Sequence, residues 1–141
     1  MLTPIELFIP GVPKGQPRPK AFNRGKHAGV YDPGTANEWK AAIHLHSRPY
    51  VPSDPLPMPL RVDLTFYFPR PKGHYRSNGQ LKESAPVWHV GKPDRDNAEK
   101  AVLDQLTVSR MWVDDSQVCD GPIKKRYANG QPGVKIRISE A

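Results

Sequence analysis

Asp94, Asp96, Asp114 and Asp115 stand in two short clusters on an otherwise basic chain: Lys92-Pro93-Asp94-Arg95-Asp96-Asn97-Ala98-Glu99-Lys100 and Trp112-Val113-Asp114-Asp115-Ser116-Gln117. Two carboxylates separated by one residue project from the same face of an extended segment and can share a ligand. Held that close they repel, and one tends to stay protonated at neutral pH unless a cation sits between them. Mg²⁺ suits such oxygen ligands and usually keeps waters and phosphate oxygens in its remaining positions, with Mn²⁺ as the other candidate ion. Asp115 brought back beside Asp94 and Asp96 completes a three-carboxylate site; Asp114 then points elsewhere and ranks second. Lys100, one turn into a helix, reaches the mouth of that site and can neutralise charge building up on a phosphodiester.

Each cluster alone also has a plain structural account. Asp-x-Asp at a helix start describes an N-cap and a turn residue, and Asp114-Asp115 describes a polar turn. Overall charge adds weight to the chemical reading. With 21 Lys and Arg against 14 Asp and Glu, the formal charge of +7 favours an acidic partner, nucleic acid before an anionic membrane surface. The segment from Pro13 to His27 carries Lys14, Arg18, Lys20, Arg24 and Lys26 with little to bury, and is expected as a surface loop that contacts phosphates or is simply solvated. Lys72, Arg76 and Lys92 extend the basic set.

The elements that must position these residues follow from periodicity. Ile5–Ile9 predicts a strand, stopped by Pro10-Gly11. Thr35 and Glu38 have capping-box spacing ahead of a helix whose stripe is Trp39, Ala42, Ile43 and His46, ending before Pro49. Val62, Leu64, Phe66 and Phe68 alternate with polar partners, predicting a strand with one buried face. Residues 69–91 show no period and are expected as a flap. Asp96 with Glu99 resembles a capping pair opening a second helix that buries Ala98, Ala101, Val102, Leu103, Gln105 and Leu106, leaving Asn97, Lys100 and Asp104 outside. Met111–Val113 predicts a short strand, and Val118–Tyr127 and Gly133–Ile138 two more. This order predicts a compact single α+β domain over residues 1–141, a mixed sheet against two main helices.

Other features bound the class. One cysteine, Cys119, excludes an internal disulfide and is expected as a small buried strand residue. His44 and His46 point to different faces of their helix and are expected as surface residues. No apolar run approaches the roughly 20 residues of a membrane span and Met1-Leu2-Thr3-Pro4 lacks a signal-peptide pattern, so a cytoplasmic protein is expected.

The whole string from Lys92 to Leu106, followed by Trp112-x-Asp114-Asp115-Ser116-Gln117-Val118, resembles the signature of the RusA family of Holliday junction resolvases. Gly11-x-Pro13-Lys14-x-Gln16-Pro17-Arg18-Pro19, Val30-Tyr31-Asp32-Pro33 and the helix around Trp39 resemble its phage and prophage branch. The resemblance implies a small homodimeric, Mg²⁺-dependent endonuclease acting on four-way and other branched DNA. It implies that Asp94, Asp96, Asp115 and Lys100 carry catalysis, with Asp104 as a partner for Lys100. A dimer also suits the substrate, since paired cuts on opposed strands of a two-fold junction require two equivalent sites. Trp39 or Phe68 on an exposed face would be candidates for its interface. Arg95 and Ala98 stand where apolar and larger apolar residues are usual, Pro93 stands where some members are basic, and residues 69–91 exceed the shortest members. Two other functions use the same residues: a branched-DNA-binding module without cleavage, and a metal-dependent nuclease for flaps or RNA.

Overall fold

A computed structural model describes residues 1–16, 20–24, 27–31 and 36–141, with the backbone alone for 20–24 and 27–31. Strand β1 (Ile5–Pro10) is followed by a hairpin of β2 (Lys20–Arg24) and β3 (His27–Tyr31), then helix α1 (Asn37–Ser47). Strand β4 (Leu60–Phe68), helix α2 (Arg95–Val108), and strands β5 (Val118–Asp120), β6 (Ile123–Tyr127) and β7 (Gly133–Glu140) complete the order. The main sheet runs β1-β7-β4, with β5 and β6 sharing the far edge of β4; β7 is antiparallel to both neighbours, while β5 and β6 run parallel to β4. The expected α+β domain with a mixed sheet and two main helices is what the chain adopts.

One face of the sheet carries the core. Along β4 every second residue is buried, Leu60, Val62, Leu64, Phe66 and Phe68, and β7 adds Val134, Ile136 and Ile138 to the same layer. Trp39 and Ile43 from α1, and Ala98, Ala101, Val102, Leu103 and Leu106 from α2, close over it. Ala98 and Ala101 are small enough to let α2 lie close to this layer; each fully buried large side chain contributes roughly 1.5–3 kcal/mol. Gln105 is only half-buried, and in α1 the buried row runs Trp39, Ile43, Ser47 while His46 is exposed. His44 and His46 both lie on the helix surface as expected.

Other expectations fail for local reasons. The expected loop over 13–27 contains β2 and the start of β3, because paired backbone rather than an apolar period defines this hairpin. Thr35 lies outside the described residues; Ala36 occupies the N-cap of α1, with no side-chain cap bond. Met111–Val113 forms no strand, only a single bridge between Trp112 and Leu56. The segment from Val118 to Tyr127 breaks into β5 and β6 at Gly121, where φ is +123° and a Cβ would collide with the Val62 carbonyl. Cys119 is exposed, since β5 is an edge strand. Trp39 and Phe68 are 2% and 4% exposed, so neither presents the open face a dimer contact needs. No described helix is long and apolar enough to cross a membrane.

Candidate active site

The two acidic clusters meet at the first turn of α2. Asp94 is the N-cap residue, and its carbonyl accepts the first helical bond, from Ala98 N at 2.9 Å. Its carboxylate makes no cap bond and instead accepts from Lys92 Nζ at 3.0 Å, with both side chains largely exposed. Asp96 lies inside the helix, so the segment is not extended and Asp96 opens no capping pair with Glu99. Asp96, Glu99 and Lys100 share one side of α2 through i, i+3 and i, i+4 spacing. A carboxylate in the first turn is favoured by the helix dipole.

Helix α2 ends with Arg110 in the left-handed region, φ +66°. Met111 N bonds Leu106 O and Arg110 N bonds Thr107 O, each at 3.0 Å, the pairing of a Schellman stop. This reversal turns the chain back along the helix. Trp112 then buries its ring and donates from Nε1 to Thr107 Oγ1 at 2.7 Å. The next turn, Asp115–Gln117, is a short 3-10 helix locked by a capping box, in which Gln117 Oε1 accepts from Asp114 N at 2.8 Å and the Asp114 side chain accepts from Gln117 N; Asp114 Oδ2 also accepts from Ser116 Oγ at 2.5 Å. Gln117 Nε2 also donates to Leu56 O and Met58 O at 2.8 and 2.9 Å. Asp114 is therefore a structural cap, and Asp115 is the half-buried carboxylate of this turn.

Asp115 comes back toward α2 closely enough to act on Glu99. Burial first, then the negative charge of Asp96, raise the Glu99 carboxyl above its ordinary value; Arg95 opposes them, and Asp115 adds the smallest upward effect. Sequence spacing missed Glu99; read as a helical i, i+3 partner of Asp96 rather than as part of a cap, it was visible. Lys100 pairs with Asp104 at 3.4 Å, as the resemblance implied, one helical turn from these acids. Among the described residues, no three His, Cys, Asp or Glu side chains lie close enough together to hold a metal ion. Asp94, Asp96 and Asp115 are therefore not gathered into a ready-made cage.

A groove of about 550 Å³ opens beside Asp94, walled by Val12–Gln16, Phe68, Lys92, Pro93 and Asn97. Gln16 N bonds Asn97 O at 3.1 Å, fixing this N-terminal segment to α2. Gly15 lies so close to Asn97 that a Cβ there would strike its side-chain amide. Lys14 and Lys92 both reach this groove. Lys72 and Arg76 are exposed on the segment before α2 but do not line it. Arg18 and Lys26 lie outside the described residues, and Lys20 and Arg24 fall on β2, where only the backbone is described.

The segment 69–91 is tied at its base. Arg70 donates to Ala128 O and Asn129 Oδ1, each at 3.1 Å, and to Pro86 O at 2.6 Å, while His89 stacks on Phe68 at 3.9 Å. Burial first, and then the charge of Lys125, lower the His89 imidazole below its ordinary value.

A family model for endodeoxyribonuclease RusA matches residues 10–139, a span that contains both acidic clusters, the groove and both helices. The chain belongs to the RusA family. It is accordingly a nuclease by descent. No curated protein matches the chain.

Proposed function

We propose that this RusA family member is a Mg²⁺-dependent endonuclease that resolves four-way and other branched DNA by paired phosphodiester hydrolysis, acting as a homodimer in the cytoplasm. The observation that carries the reading is that the turn bearing Asp115 packs against α2, whose first turns carry Asp96 and Glu99, while Asp94 at the N-cap of that helix lines a groove with Lys14 and Lys92.

The donor set fits a hard divalent ion. It consists of carboxylate oxygens, the ligands such an ion prefers; the Glu99 carboxyl is raised by burial first and by the neighbouring acids second. Asp94, Asp96 and Asp115 would hold Mg²⁺, or Mn²⁺ in its place, with Asp94 exchanging Lys92 for the ion. When bound, such an ion lowers the pKa of water and offsets charge on a phosphodiester. Lys92 and Lys14 draw the strand into the groove by charge. Lys100, oriented by Asp104, faces the negative charge that grows on the phosphoryl oxygens as the P–O bond breaks. Asp114 keeps its capping role and holds Asp115 in place. Two copies related by a two-fold axis would place two such sites on opposed strands.

Labelled four-way junction, linear duplex, flap and RNA substrates, each with Mg²⁺ or with chelator, test this directly. Symmetric nicks in the junction that need Mg²⁺ and vanish in Asp96→Asn while binding survives are expected. Preferred cleavage of flaps or RNA would replace the substrate assignment, and tight binding with no cleavage of any substrate would overturn the enzymatic reading.

A further inference from the structure

Lys124, Lys125 and Arg126 form a run of three cations on β6, and the strand separates them. Ile123 and Tyr127 pack against the core, so Lys125, which shares their parity, emerges on the α2 side of the sheet. Lys124 and Arg126 emerge on the opposite face, where Arg126 lies over the ring of Trp88 at 5.5 Å.

Lys125 does not itself line the groove but stands beside its Phe68 wall, held there by a backbone bond. Its Nζ donates to Gly91 O at 2.6 Å and sits 6.0 Å from the centre of the Phe68 ring, the ring that walls the groove beside Asp94. Lys92 is by contrast 85% exposed. Burial is the main influence on the Lys125 ammonium and lowers its proton affinity; Asp94 raises it and Lys92 lowers it, which places all three charges within electrostatic reach of one another. An ammonium has three donors, and the bond to Gly91 leaves two. A cation held partly out of water, beside one further lysine and one carboxylate, is built to receive an anion.

We propose that Lys125 is a substrate-positioning residue: it binds the phosphate of the nucleotide lying in the groove beside Asp94, next to the bond that is cut, and so sets where the strand lies relative to the carboxylates. This rests on the nuclease reading above and assigns a particular phosphate within it. The role is positional because no described contact links Lys125 to Asp96, Glu99 or Asp115, whereas Gly91 holds it beside Phe68, a wall of the groove. Ordered in advance, it spends less side-chain entropy on binding than an exposed lysine does.

The test combines charge removal on both partners. Junctions carrying a single neutral methylphosphonate at each position around the cut are bound, in chelator, to the wild type, Lys125→Met, Lys125→Gln and Lys124→Met; the glutamine keeps a donor for Gly91 O and loses only the charge. Wild type should lose about tenfold in affinity at one position flanking the cut. Both Lys125 variants should bind the all-phosphate junction about tenfold more weakly, show no further loss at that position, and keep the other losses. Lys124→Met should retain the wild-type pattern. With Mg²⁺, the Lys125 variants should raise KM with kcat largely retained, and their salt dependence should fall by about one released counterion. Lys125 variants that keep sensitivity to that phosphate, or bind as tightly as wild type, would overturn the assignment. Should the wild type bind a flap or RNA instead of the junction, the substrate reading fails while the same scan on that nucleic acid still decides the role of Lys125.

Discussion

The two arms of the site, residues 92–96 and 112–117, carry the same kind of side chain and are held in opposite ways. The second arm is built before any ligand arrives: Trp112 is buried, Asp114 caps its own turn, and Gln117 ties that turn to the carbonyls of Leu56 and Met58. In the first arm Asp94 begins a helix without capping it and faces an exposed lysine. One arm supplies a fixed reference and the other a responsive partner. Binding a multiply charged ligand between them is then a local exchange of partners at Asp94 rather than a rearrangement of the fold.

The largest expected effect comes from removing the fixed carboxylate. Asp115→Asn should lower junction cleavage on the order of a thousandfold with binding retained, measured in single-turnover assays beside Asp94→Asn. A much smaller loss for Asp115→Asn would mean that the fixed arm is only a scaffold.

Next is the tie itself. Gln117→Ala strands the Met58 carbonyl and the Asp114 amide and leaves Leu56 O with only its bond from Val113 N, so thermal unfolding should report a loss of about 1–3 kcal/mol, with cleavage falling alongside. An unchanged melting temperature with full activity would show that the 112–117 arm does not need its lock.

Glu99, on α2, carries a carboxyl raised by burial first and by the acids of both arms after it. Its carboxyl is raised in the folded protein, so its contribution to stability is complete below its unfolded value near 4.5 and is lost as pH rises through the higher folded value. Without divalent ions, Glu99→Gln should therefore gain stability over the wild type on going from about pH 4 to neutrality, read by denaturant titration at each pH. Mg²⁺ should narrow that gain by compensating the wild-type charge. A difference independent of pH would mean that folding does not raise the Glu99 carboxyl.

The smallest effect belongs to the responsive arm. Lys92→Ala breaks an exposed pair, so stability should change by no more than about 0.5 kcal/mol while junction affinity falls at low salt. A large drop in melting temperature would mean that Lys92 and Asp94 are a structural pair after all.

Much of this contrast was legible in the residues alone. The core strand at 60–68 and the buried face of α2 showed their periods plainly, because one face of each is covered and the other is wet. The composition of both acidic clusters was equally plain. What the spacing did not reveal was which aspartate spends its carboxylate on the backbone: Asp94 and Asp114 both precede a helical turn, and only long-range ties from Gln117 to Leu56 and Met58 settle the second turn. The hairpin β2–β3 escaped because its stability lies in backbone pairing and not in an apolar stripe. Lys125 was hidden within a three-cation run, since only the pairing of β6 with β4 says which of the three stands beside the groove wall.

Calorimetric titration of Mg²⁺ into the junction-bound protein tests the joint action of the two arms most directly, with wild type, Asp96→Asn and Asp115→Asn compared under conditions where cleavage is blocked by a non-hydrolysable linkage at the cut. The account predicts a binding isotherm in wild type that both substitutions weaken at least about tenfold, although the two residues come from different arms. Wild-type affinity in Asp115→Asn, with loss confined to Asp96→Asn, would contradict it.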